Sequence, residues 1–131
     1  RLLDVTEQCL WAALEQARAG NRLGDLGAAV QTHAELNGFG VVRELTGHGV
    51  GRQMHDEPLI PNYGSAGKGM RLRAGMTMAI EPMITEGRPE VAELDDGWTT
   101  VTIDGTLSAH FEHTIAITSD SGPEILTQRV E

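Results

Sequence analysis

Met76-Thr77-Met78-Ala79-Ile80-Glu81-Pro82-Met83-Ile84 is the stretch on which the fold reading turns. Met76, Met78 and Ile80 alternate with Thr77, Ala79 and Glu81, the period of a strand with two unlike faces. The same period returns further along. In 99–103, Val101 and Ile103 alternate with threonines. In 111–118, Phe111, His113, Ile115 and Ile117 alternate with Glu112, Thr114 and Ala116, and His110 precedes them on the Glu112 side. Residues 124–127 read as a last short strand. Toward the N-terminus, Val41-Val42 is a strand candidate, and before it the period becomes helical. Cys9, Leu10, Ala13, Leu14 and Ala17 form one helical face, ended at Gly20-Asn21. Leu23, Leu26, Val30 and Leu36 mark a second, stopped at Asn37-Gly38. His33, beside that stripe, reads as a packing or surface residue. Residues 47–51 and 61–69 read as loops. Helices precede strands, so the expected class is α+β with an antiparallel or mixed sheet rather than repeated βαβ units.

Composition narrows the function. The chain has 131 residues, the length of one small domain or part of one. Ten lysines and arginines against 19 acids leave a net charge of −9, which argues against a nucleic-acid binder held by phosphate contacts. Hydrophobic residues reach 40%, enough for a core, but aromatics only 4%, so the core is expected to be aliphatic and methionine-rich. A single cysteine, Cys9, excludes an internal disulfide and fits a reducing cytosol. No stretch approaches the roughly 20 apolar residues of a membrane helix. The expectation is therefore a cytoplasmic protein without membrane or direct nucleic-acid partners. The first residue is Arg1 rather than methionine, which reads as a processed chain or a fragment of a longer one.

Three segments carry groups suited to chemistry. Gly47-His48-Gly49-Val50-Gly51 sets a histidine among alternate glycines, where the backbone turns tightly or approaches something closely, and His55 follows seven residues on. The strand-turn-helix context of a dinucleotide site is missing. Glu81 sits in an apolar strand, where a buried carboxylate needs an arginine or a metal, and Pro82 after it implies an edge or a break in the ladder. Otherwise Glu81 faces solvent from an edge strand. Glu112 shares a strand face with His110 and Thr114, while His113 points the other way, so Glu112 and His113 face one ligand only if the strand is bulged. The competing readings are a glycine-rich turn with two surface histidines and an exposed polar strand face. Taken together, one histidine and two glutamates suggest a metal site of the kind that takes zinc, manganese, iron or cobalt. Two such ions would activate a water and polarise a carbonyl.

Gly47-His48-Gly49-Val50-Gly51, His55 with Glu57-Pro58, Glu81-Pro82-Met83 and Phe111-Glu112-His113-Thr114 together resemble the type I methionine aminopeptidases in order and spacing. Asp96-Gly97-Trp98 and Asp104-Gly105 extend the resemblance, which covers essentially the whole chain. Prolidase and aminopeptidase P share a similar histidine loop, but their last glutamate sits in an Arg-x-Glu-Asp context. The resemblance implies a pita-bread (creatinase/aminopeptidase-like) fold, of which residues 1–131 would be the C-terminal half: two N-terminal helices and a curved antiparallel sheet. It implies a metalloaminopeptidase that removes the initiator methionine from nascent proteins by attack of a metal-activated water. His48, Glu81 and Glu112 match metal ligands, with Glu112 bridging two ions. His55 matches the catalytic histidine that also binds the substrate peptide, and Met54 and Trp98 match positions lining the methionine pocket. His110 stands where the family often has glutamine.

The family's two metal-binding aspartates and a further histidine fall upstream of Arg1 in this comparison. The resemblance thus implies two divalent ions (cobalt, manganese, iron or zinc) in a full-length parent. In this stretch alone it implies at most one weakly bound ion and no turnover. An exposed apolar face and sheet edge are expected where the other half would pack. The alternative is a non-catalytic pita-bread module that binds a peptide or protein.

Overall fold

The computed structural model describes residues 1–129. Helix α1 (Leu2–Gln16) forms because Val5, Cys9, Leu10, Ala13 and Leu14 repeat at helical spacing, and all are buried. The helix stops at Gln16 with Ala17 as its C-cap, earlier than the Gly20-Asn21 end read from the sequence; Gly20, at φ +96°, lies in the turn that follows. Helix α2 (Leu23–Leu36) starts with the Arg22 N–H donating to Asp25 Oδ2 at 2.8 Å; it packs on α1 and buries Leu23, Leu26, Gly27, Val30 and Ala34. Leu36 departs from the expected stripe and is 81% exposed. At about 100° per residue it lies about 120° round from Val30, so the helix ends with it facing outward. His33 binds Gln8 Oε1 through Nε2 at 2.8 Å and ties the two helices together at their surface.

Ten short strands follow: β1 (Gly40–Val41), β2 (Gly47–Gly49), β3 (Asp56–Ile60), β4 (Thr77–Ile80), β5 (Met83–Thr85), β6 (Val91–Glu93), β7 (Thr100–Thr102), β8 (Ser108–His110), β9 (His113–Ala116) and β10 (Glu124–Ile125). Their pairings among the described residues are all antiparallel. One sheet has the order β10-β9-β4-β2-β3, a second β1-β5-β8, and β6 and β7 form a hairpin. The class is α+β with antiparallel sheets, as expected.

Two expected strands differ from the reading, one divided and one shortened. The run 76–84 splits into β4 and β5, and what the period placed in 111–118 begins only at His113, with β8 before it. The break between β4 and β5 and the late start of β9 share one reason: β4 pairs with β9 in one sheet, and β5 pairs with β8 in the other. The chain thus makes one long two-stranded ribbon that changes sheets midway.

The segment 47–51, read as a loop, contains β2, an inner strand between β3 and β4. Its glycines serve close approach rather than a positive φ. A Cβ on Gly47 would collide with the Ala79 carbonyl oxygen, and one on Gly49 with that of Glu57. Strands β3, β6 and β8 lack an alternating apolar signal and escaped the sequence reading. The core between helices and sheets is aliphatic: Leu10, Leu26, Ile60, Leu72, Ile80, Ile84 and Ile115 are almost fully buried. It is not methionine-rich, since Met78 alone among the five methionines is buried. No helix among the described residues is long and apolar enough to cross a membrane.

Candidate metal centre

The ribbon's register sets the site. His48 of β2 stands opposite Ala79 of β4, and Ala79 stands opposite Thr114 of β9. Side chains two apart on a strand share a face. Glu81, two beyond Ala79, and Glu112, two before Thr114, therefore lie on the His48 face, one step along. Both sit where the ribbon changes sheets, between the pairs Ile80↔His113 and Met83↔His110. Pro82 lacks an N–H and interrupts the ladder. The Phe111 N–H still donates to the Pro82 carbonyl at 3.3 Å, which keeps the two interruptions level. His113 turns the other way, as expected: its Nδ1 meets Thr127 Oγ1 at 2.8 Å and its ring lies 5.7 Å from that of Trp11.

The result is a convergence of one imidazole and two carboxylates. One donor atom each from His48, Glu81 and Glu112 lie within 4.8 Å of one another, and His48 Nε2 is 3.3 Å from Glu81 Oε1. Ligands about 2.0–2.2 Å from a common ion stand roughly 3–4 Å apart. The 3.3 Å between His48 and Glu81 falls in that range, and the nitrogen–oxygen donor set suits a divalent transition metal. His48 is oriented for this role: its Nδ1–H donates to the Gly49 carbonyl oxygen at 2.9 Å, which turns Nε2 toward Glu81 and the cluster.

Glu81 is only 12% exposed in its side chain and lies next to an inner strand, not an edge. Its partners are histidines rather than an arginine: His48 on Oε1 and His110 Nε2 on Oε2 at 3.1 Å. Burial works to raise its pKa, but the hydrogen bond and charge of His110 outweigh it and hold the carboxyl below its ordinary value. Glu112 shifts the opposite way, raised by burial and by the negative charge of Glu81. The Glu81 hydrogen bond raises His110.

An open cleft of about 1310 Å³ adjoins the cluster, lined in part by His48, His55, Glu81, His110 and Trp98. The ring of His55 lies 4.4 Å from that of His48. Trp98 stands at the cleft, 88% exposed. Met54, read as a second pocket residue, is 72% exposed and is not among the residues lining this cleft; the loop after β2 turns it outward. Two contributors were missed in the sequence. Asn62, 2% exposed, donates through Nδ2 to the Glu81 carbonyl at 2.9 Å, and nothing in its loop context signals that. His110 received no role, although its place two residues before Glu112 was a usable signal.

Residues 1–119 match the model of metallopeptidase family M24. The chain is 58% identical over 127 residues to methionine aminopeptidase A of Synechocystis, covering 97% of this chain and 50% of that protein. It superposes on the crystal structure of methionine aminopeptidase from Rickettsia prowazekii with a TM-score of 0.95 at 47% identity, covering 98% of this chain and 52% of that one. For the Thermotoga maritima methionine aminopeptidase the values are 0.94, 52%, 98% and 51%. A prolidase from Pyrococcus furiosus, 23% identical with a TM-score of 0.71, shares the fold. That fold is the pita-bread one expected from the sequence. The chain spans about half the length of the curated relatives it matches.

Proposed function

Because the chain belongs to metallopeptidase family M24, we propose that it is the metal-binding C-terminal portion of a methionine aminopeptidase. The enzyme would remove the initiator methionine from nascent polypeptides in the cytoplasm. The observation that carries this reading is the meeting of His48, Glu81 and Glu112 within 4.8 Å beside an open cleft. These three residues would hold a divalent cation (cobalt, manganese, iron or zinc), and Glu112, the more exposed carboxylate, would bridge to a second. The remaining donors would come from sequence outside this chain. When bound, such a cation supplies Lewis acidity toward a peptide carbonyl and a nucleophilic water near neutral pH.

The chain's own residues do the rest. His48 presents Nε2 because Gly49 holds its other nitrogen. His55, packed on His48 at the cleft, would donate a hydrogen bond to the scissile carbonyl oxygen as negative charge grows there, where such a donor acts most strongly. Trp98 offers an aromatic face to the methionine thioether. The 131 residues on their own would take up one ion weakly and turn over no peptide.

The test is hydrolysis of a Met-Ala-Ser peptide by the full-length protein with added manganese or cobalt, in wild type, Glu112→Ala and His48→Ala. Loss of turnover in both variants is expected. Unchanged turnover in either overturns the metal assignment.

A further inference from the structure

Glu81 uses its two oxygens on opposite sides. Oε1 faces His48, and Oε2 faces His110 Nε2 at 3.1 Å. An ionised carboxylate only accepts, so the shared proton sits on His110. His110 arrives from β8, the strand of the second sheet, where it pairs with Met83 just past the Glu81-Pro82 interruption. Its Nε2 is also 3.9 Å from Glu112 Oε2. One ring from the neighbouring sheet thus reaches both acids of the centre, while its side chain is 47% exposed and carries little of the core.

We propose that His110 is a positioning residue: its Nε2–H holds the outer oxygen of Glu81 so that the inner oxygen stays aimed, with His48, at the cation. This rests on the metal-centre reading above. Glutamate has three rotatable bonds, and without a partner on Oε2 the carboxylate samples other rotamers and loses the aim. Groups that orient a ligand in this way typically affect metal affinity roughly 10–100-fold. An amide N–H of similar reach supplies the same hydrogen bond, whereas a methyl group does not.

The experiment titrates the metal-free full-length protein with manganese by calorimetry and records cobalt absorption spectra, for wild type, His110→Ala, His110→Gln and His48→Ala. The expected result is a roughly 10–100-fold weaker manganese affinity and an altered cobalt spectrum in His110→Ala. His110→Gln should regain most of the affinity and the wild-type spectrum. Wild-type affinity in His110→Ala overturns the role. Failure of His110→Gln to recover also overturns it, because the imidazole would then be a ligand itself. If His110→Ala does not fold, His110→Leu, which also lacks the donor, takes its place under the same criterion. Wild type that binds manganese no better than His48→Ala brings down the metal-centre reading instead, and the positioning role with it.

Discussion

The two carboxylates of the centre stand at level interruptions of one ribbon, yet the two junctions are built differently. At the first, Glu81 is followed by a buried proline, its carbonyl is taken by the buried side chain of Asn62, and both of its carboxylate oxygens meet histidines. At the second, Glu112 is 43% exposed in its side chain and has His110 at 3.9 Å on one oxygen. The first junction fixes its carboxylate between two histidines; the second leaves its carboxylate open to more than one partner. The opposite pKa directions follow, because the hydrogen bond and charge of His110 stabilise the Glu81 anion against its burial, while burial and the negative charge of Glu81 disfavour the charged form of Glu112.

The largest test of this contrast is metal affinity. Glu81→Ala should lose manganese binding beyond the roughly 100-fold reached by removing an orienting partner, and by more than Glu112→Ala, measured by titration of the metal-free protein. Equal losses would erase the distinction between the two junctions. Next is stability. Asn62→Leu leaves the Glu81 carbonyl without its buried donor and should cost about 1–3 kcal/mol in chemical denaturation. A cost near zero would mean that the first junction holds without its anchor.

Protonation separates the junctions more finely. In the metal-free protein, carboxyl resonances should show Glu112 taking its proton at higher pH than Glu81. For Glu112, raised above its unfolded value, the ionised form costs stability, and that cost is relieved as pH falls through the raised pKa. For Glu81, held low, the stabilisation is present above the ordinary carboxylate range and is lost as pH falls toward the lowered value. The reverse titration order would contradict the different wiring of the two acids. The smallest effect belongs to a site that touches neither junction: Leu36→Gln, at an 81% exposed position, should stay within about 0.5 kcal/mol of wild type.

Much of this was legible without coordinates. The helical faces through Cys9–Leu14 and Leu23–Val30 are visible because burial on one side of a helix imposes its period on the sequence. The α+β class follows from their order. His48, Glu81 and Glu112 stand out because a histidine among glycines and acids among aliphatic residues are costly unless used. The break of 76–84 into two strands, and the start of the 111–118 strand only at His113, were less visible. The alternation runs through both places, and a period of two carries no mark of which sheet a residue joins; Pro82 alone hinted at the break.

What the chain order could state, then, is which residue types are too expensive to be idle. What needed three dimensions is their meeting. His48 lies 33 residues before Glu81, and Glu112 lies 31 after it. They converge because β2, β4 and β9 pair in a register that ranks His48, Ala79 and Thr114 across one face. His110 and Asn62 acquire their roles only through that pairing, since a hydrogen bond to a residue 29 or 19 positions away leaves no local pattern. Met54 and Trp98 show the same division: the family resemblance implied a pocket place for both, but Trp98 lines the cleft and Met54 does not, because the turn of a loop and not its composition sets where a side chain goes.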